Sequence, residues 1–373
     1  MLSRTRESGR VLLRCYQTLA AVIDDERATT PAAEWLVDNF HIVEEVLNEI
    51  RTDLPRGFYR QLPTLDEGPL AGAPRVLELA WTYVAHTDSR FDAVTLQRFV
   101  LAFQRADALR ISELWAVPIG LRLALIENLR RLAVEIVERR EARLEADRLA
   151  NLLLGQTDVP ADPQAFRSIG DAALNTTFAV RLSQRLRDQD PVTTPATRWL
   201  DERLAARGTS AHDLVRAEHQ RQAAVNVTVR NVITSLRIMA TFDWRDFVEK
   251  VSLVDRLFRA ESEFGAMDFA TRDRYRHAVE DLARGSDRAG ARRGPSDLES
   301  GGQPRAAHRG SRLLLDLEGA PQPRARAQLP GIAASTADPR LYGLGDVELS
   351  RLDRDRHRAF CCVCQCCSPT PSA

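Results

Sequence analysis

The feature that most constrains this chain is a helical segment opening at Ser112 and running to about Leu154. Within it, Leu125, Leu129, Leu132 and Ile136 step by four, three and four residues. That spacing lays them along one helical face as a seam, which is stable in water only under a partner helix. Past Glu138, the run to Glu145 is dominated by opposite charges at helical neighbours. Such pairs contribute roughly a few tenths of a kcal/mol each, so the second half of the segment reads as a solvated extension.

The same spacing fills most of the chain up to residue 285. Val11, Leu12, Tyr16, Leu19 and Ile23 mark a helix over 10–27. Pro31 suits the first turn of the next, where its missing N–H costs nothing. Trp35, Leu36, Phe40, Val43, Leu47 and Ile50 form that helix's apolar face. After Asp53 the pattern stops, and Pro55, Gly57 and Pro63 bracket an irregular segment. Helices are predicted over 76–86 and 91–103, and a further helical block over 166–284 is punctuated by Pro191 and Pro195. Ser210 and Asp213 propose a capping box for a helix through Met239. Thr241 or Asp243 caps the next, with Trp244, Phe247, Val248, Val251 and Leu257 on one face. Phe269, Tyr275, Val279 and Leu282 mark the last.

Strand-like alternation is nowhere sustained. The chain therefore reads as all-α, a helical bundle of long amphipathic helices followed by a disordered C-terminal tail. An N-terminal helical domain covers 1–154, a linker 155–163, a second helical block 164–285 and the tail 286–373. From residue 286 onward apolar spacing disappears, and ten of the 19 glycines lie from Gly285 to the end. Such a composition cannot offset its own chain entropy by burial.

Charge balances at 52 basic against 52 acidic residues, which excludes the electrostatic footprint of a nucleic-acid binder. Lys250 is the one lysine, an arginine bias that reads as a GC-rich coding sequence rather than a binding device. No stretch has the apolar core of a secretory signal, and no window of about 18–20 apolar residues offers a membrane span, so the chain as written reads as cytoplasmic. Cys15 stands apart from five cysteines crowded into Cys361–Cys367, which is no disulfide framework.

Pro55-Arg56-Gly57-Phe58-Tyr59-Arg60 is the strongest candidate site. Arg56, Phe58, Tyr59 and Arg60 offer two guanidinium groups and two rings, able to stack on a sugar or grip a phosphate. The competing reading, which outweighs it, is a loop whose rings close the bundle. The thiols of Cys361–Cys367 lack the paired spacing of a zinc site. Asp353-Arg354-Asp355 has the D-x-D form of metal-holding glycosyltransferases, on three residues only. His86-Thr87-Asp88-Ser89-Arg90 reads as a helix-terminating turn with Asp88 or Ser89 as cap, and Glu127 and Asn128 as residues at the edge of a buried face. Asn175 and Asn226 head N-x-T sequons that carry no meaning without a signal peptide. No catalytic residue, cofactor site or metal site is assigned.

The run from Trp35 to Pro63 resembles the N-terminal region of bacterial cyclic β-1,2-glucan synthases, very large membrane glycosyltransferases. The resemblance continues through Gly68–Gly72, Pro74–Val76, Ala85–Arg90, Glu113–Pro118 and Leu121–Arg131. It returns at Asn231–Arg237 and Met267–Tyr275, so that it covers roughly 10–286. It implies full-length relatives that use UDP-glucose, with a divalent metal as a further candidate cofactor, to build and cyclise a β-1,2-glucan. Their glycosyltransferase domain sits in the inner membrane and is followed by a glycoside-phosphorylase-like domain. This chain would then be a non-catalytic, truncated fragment whose partner is the glycosyltransferase domain, packed on the cytoplasmic face. A free-standing helical interaction module is the alternative.

The resemblance stops at Ser286, which suggests a slipped reading frame. One and the same single-nucleotide offset admits helix-forming, family-like and apolar readings at Asp287–Arg292, Leu313–Pro330 and Gly345–Phe360 respectively. Sequencing the gene across codon 286 is expected to expose a displaced frame that continues the helix and enters an apolar span. An intact frame with no better alternative would sink the idea.

Overall fold

The structure, a computed structural model, describes residues 2–23, 30–52, 62–68, 70–154, 165–168, 175–187 and 194–292. These residues form twelve α-helices and no strand: α1 (Leu2–Ile23), α2 (Pro31–Asp38), α3 (Phe40–Thr52), α4 (Arg75–His86), α5 (Ala93–Phe103), α6 (Ile111–Leu154), α7 (Thr176–Arg187), α8 (Thr194–Ala206), α9 (Ala211–Thr241), α10 (Trp244–Val251), α11 (Leu253–Glu261) and α12 (Phe269–Arg292). The all-α reading holds. The stretch 155–163, read as a linker, lies outside the described residues. So does the tail beyond Arg292, to which α12 continues past the boundary at Ser286.

The chain divides into two compact units, each assembled from separate stretches. One takes in Met1–Asp53, Thr87–Arg90 and Arg122–Ala240, the other Leu54–His86, Phe91–Leu121 and Thr241–Ala373.

In the first unit the predicted seam of α6 is buried at Leu125, Leu129, Leu132 and Ile136 alike. Tyr16 of α1 stacks on Phe40 of α3 with ring centroids 4.2 Å apart. The reading of α6 beyond Glu138 as a solvated extension is overturned. Ala142, Ala146, Leu149, Ala150 and Leu153 are buried in one cluster with Phe178, Leu182 and Leu186 of α7 and Leu200 and Leu204 of α8. The alanines at 142, 146 and 150 recur every four residues, so small side chains line a face that neighbouring helices can approach closely. The charges between them occupy the flanks.

The helix predicted through Trp35–Ile50 is broken at Asn39, which leaves the helical region (φ −111°, ψ 17°). Both its backbone N–H and its side-chain amide donate to the Trp35 carbonyl, at 3.2 and 2.9 Å. An asparagine offers the backbone this local alternative to the helical ladder. The break rotates the buried face of α3 onto Phe40, Ile42, Val43, Val46 and Ile50.

In the second unit the helix predicted from Trp244 through Leu257 is likewise two. Ser252 is extended, and its Oγ accepts from the Asp255 N–H at 3.1 Å to cap α11. A ring cluster of Phe91, Phe242, Trp244 and Phe247 has centroids 4.8–5.6 Å apart along its closest contacts. Gln104, after α5, donates to the Val251 carbonyl at 2.9 Å.

The helix α4 lies against the first turns of α6 at Gly120. A Cβ placed there would stand 3.2 Å from the Ala80 Cβ and 3.4 Å from the Val76 carbonyl oxygen. A β-branched residue must push the two helices apart, and overpacking of this kind costs about 1–3 kcal/mol. Gly120→Val is therefore expected to lower stability in urea denaturation by about that amount. A variant as stable as the parent would show that α4 and α6 are not so closely seated.

Candidate functional site

Arg56, Phe58, Tyr59 and Arg60 lie outside the described residues, as do Asp353–Asp355 and Cys361–Cys367. Within the first unit, α3 borders an open groove of about 550 Å³ against α1, lined by Arg6, Arg10, Leu13, Glu44, Asn48 and Arg51. Arg51 donates to Asn48 within it. Both charge signs line the groove. Among the described residues no group of three or more His, Cys, Asp or Glu side chains could hold a metal ion.

The stretch His86–Arg90 does structural work of another kind. Asp88 and Ser89 are consecutive non-glycine residues in the left-handed region, with φ of 49° and 63°. Each such residue costs of order 1–3 kcal/mol unless its surroundings hold it. Here they do. Thr228 and Asn231 of α9 donate to the Asp88 carboxylate at 2.6 and 3.2 Å. Asn231 also donates to the Asp88 carbonyl, and Ser235 to the Ser89 carbonyl at 2.7 Å. Asn128 of α6 donates to the Ser89 Oγ at 2.7 Å. The helix-terminating turn read from the sequence is present, directly after the end of α4 at His86, and the side chain that caps the start of the next helix is that of Asp92, which accepts from the Thr95 N–H.

Other flagged residues also turn out to join elements. Glu127 accepts from Ser8 of α1 at 2.7 Å and from Arg130. Asn175 caps α7 by accepting from the Phe178 N–H, and Asn226 accepts from the Ala32 N–H. The two asparagines of the sequons are thus occupied within the fold.

Sequence reasoning missed the charged side chains that lie inside. Along α6, residues 131, 135, 139, 143, 147 and 151 fall at intervals of four, a row that winds about 40° around the helix at each step. Arg221 of α9 forks onto Glu135 with two bonds of 2.7 Å. Arg139 donates to Glu218 of α9 at 2.7 Å, and the Thr177 hydroxyl of α7 donates to the same carboxylate at 3.2 Å. Arg181 of α7 forks onto Asp147 at 2.8 and 3.2 Å, and Arg185 donates to Asn151. Burial works to raise the Glu135 carboxyl, but the Arg221 hydrogen bond and the charges of Arg221, Arg139 and Arg131 outweigh it and hold it below the ordinary glutamate value.

In the second unit Arg276 of α12 is fully buried beside fully buried Asp255, with bonds of 2.8 and 2.7 Å, and also donates to Glu249 at 2.9 Å. Arg272 forks onto the same glutamate. The Arg276 guanidinium lies 5.3 Å from the Phe269 ring centroid. Burial would lower its pKa, yet the two carboxylates drive it well above the ordinary arginine value. The sequence signal available was a row of charges, Arg272, Asp273 and Arg276, at helical spacing on α12. It does not reveal a partner 21 residues upstream.

No protein-family model matches the chain. A curated protein, Cyclic beta-(1,2)-glucan synthase NdvB of Rhizobium meliloti (strain 1021), is 41% identical over 288 residues, which is 76% of this chain and 10% of that protein. This chain thus spans about a tenth of the length of the curated relative it matches and is related to that part of it.

Removing one partner of a buried ion pair leaves the other charge uncompensated, at a cost of about 3–5 kcal/mol, whereas replacing both by apolar residues is often nearly neutral. Asp255→Ala is expected to lower the denaturation free energy by about that much, and Arg276→Met combined with Asp255→Leu by far less. Equal losses from the two variants would contradict this account of the pair.

Proposed function

From its kinship with a cyclic β-(1,2)-glucan synthase, we propose that this chain is a non-catalytic helical region of an enzyme of that kind. In the whole enzyme a separate glycosyltransferase domain transfers glucose from UDP-glucose, the growing β-1,2-glucan is cyclised, and this region braces the catalytic domain at the cytoplasmic face of the inner membrane. The observation that carries the reading is the 41% identity to a relative of which this region forms only a tenth. It is supported by where the buried charges go. Arg276 with Asp255, Arg221 with Glu135 and Arg139 with Glu218 are consumed in joining helices to one another. That is the expenditure of a scaffold. Among the described residues no helix is long and apolar enough to cross a membrane, in keeping with a region that lies beside the membrane rather than through it.

In this reading the segment with Arg56, Phe58, Tyr59 and Arg60 serves as a docking surface for the catalytic domain, its rings supplying contact area and its guanidinium groups orientation. The test is complementation. A related synthase lacking its own corresponding region should make little glucan from radiolabelled UDP-glucose, and co-expression of this chain should restore synthesis and co-purify with the enzyme. The chain incubated alone with UDP-glucose is expected to form no glucan. Product from the chain alone would overturn the non-catalytic assignment, and failure to complement or co-purify would overturn the bracing role.

A further inference from the structure

In the first unit α1 and α3 run antiparallel where they meet. Tyr16 stacks on Phe40, while seven residues back along α1 a Cβ on Gly9 would stand 3.3 Å from the Cδ1 of Leu47, seven residues on along α3. The groove of about 550 Å³ lies along this pair and is lined from Thr5 to Leu13 on α1 and from Phe40 to Arg51 on α3. At the helical rise per residue that is a trough about 12–16 Å long, roughly two to three turns of a third helix.

The groove is apolar along its length and charged at its rim. Gly9, Phe40 and Leu47 line it together with Leu13, which is 41% exposed. On the rim Arg6 and Arg10, one turn apart on α1, and Arg51 of α3 stand against a single acid, Glu44. Among the described residues the side chains of Arg6, Arg10 and Glu44 have neither a hydrogen bond nor an ion pair, and Arg51 donates only to Asn48 and to the Leu47 carbonyl. Arg4, on the same helix, is by contrast paired with Glu127. Two alternatives fit this surface less well. An inorganic anion would leave the apolar lining uncovered, and a flat anionic membrane would be repelled by Glu44, Glu45 and Glu49 on the adjoining face of α3.

We infer that the groove between α1 and α3 is a docking site for an amphipathic helix of a partner protein. Its apolar stripe lies on Leu13, Phe40 and Leu47, as apolar anchors at helical spacing do in other grooves of this kind. Acidic side chains beside the stripe meet Arg6, Arg10 and Arg51 and set specificity. The inference goes beyond the bracing role and does not rest on it, because its test uses no synthase.

The full chain is titrated, by fluorescence anisotropy, into a labelled, end-capped helical peptide of about 18 residues, five turns, with leucines at three-and-four spacing and glutamates on both flanks. One control peptide has lysine for every glutamate, and a second has glutamine for every leucine. The glutamate peptide is expected to bind at one site at least about tenfold tighter than either control. Arg6→Glu combined with Arg10→Glu should weaken it at least about tenfold and turn the preference toward the lysine peptide. Leu13→Asn should weaken both, and Arg14→Glu, an exposed residue of α1 outside the groove, should leave the preference in place. Circular dichroism checks that each variant is folded, and should the double reversal fail to fold, Arg10→Gln alone should cost at least about threefold. No binding of the glutamate peptide, equal binding of the two charged peptides, or a preference that survives the double reversal would overturn the assignment. So would self-association of the chain, or uptake of phosphatidylglycerol vesicles, that depends on Arg6 and Arg10 and that the glutamate peptide fails to displace.

Discussion

Everything in the first unit depends on α6 burying a stripe of charges at the same time as a seam of leucines. The seam at Leu125, Leu129, Leu132 and Ile136 is apolar and non-directional, so by itself it would accept partner helices in several registers. The stripe removes that freedom. Arg221 reaches Glu135 with two bonds of 2.7 Å only when α9 lies at one height along α6. Arg181 meets Asp147 only when α7 lies at its own. The leucines thus supply burial and the charges supply register. A half-buried ion pair contributes little net energy, yet a mispaired one is expensive, and that asymmetry selects one arrangement among many.

The turn at Thr87–Arg90 shows the same economy at a smaller scale. Two adjacent left-handed residues without a glycine would be unstable in isolation, and the side chains of Thr228, Asn231, Ser235 and Asn128 hold them in place. Three of those four residues come from one face of α9, at positions 228, 231 and 235, the three-and-four spacing that elsewhere marks an apolar stripe. A helix face can therefore be written in hydroxyls and amides as readily as in leucines when what it must grip is a backbone.

How much of this was legible depended on which force shaped each element. Apolar periodicity made the helices and the seam of α6 readable, because burial leaves its period in the sequence. It failed where local hydrogen bonding competes with the ladder. Asn39 and Ser252 each break a run whose apolar pattern continues through the break. The Ser252 break had a signal, a serine three residues before an acid, whereas Asn39 offered none stronger than its type. The buried half of α6 beyond Glu138 was hidden for another reason. Alanine at 142, 146 and 150 is a weak marker of burial, and the charges that dominate the segment are interior ladder members as well as solvated ones. The candidate loop was visible as composition alone, since stacking rings and guanidinium groups are recognisable by type.

The arginine bias, which as composition looked like a trait of the coding sequence, acquires a physical role in these joints. Arg221 on Glu135, Arg181 on Asp147, Arg276 on Asp255, Arg272 on Glu249 and Arg75 on Glu113 all engage both carboxylate oxygens through two nitrogens of one guanidinium. A lysine ammonium is a point charge on a flexible stem and cannot present two parallel donors in a fixed plane. At Arg276 the difference is greatest, because a fully buried ammonium would also shed its proton far more readily than a guanidinium does. The single lysine, Lys250, sits where this geometry is not needed, on the exposed side of α10 facing Asp246 one turn away. Whatever the origin of the bias, the packing of both units now relies on it, and an arginine-to-lysine change at any of these five joints would keep the charge while losing the fork that sets the helix register.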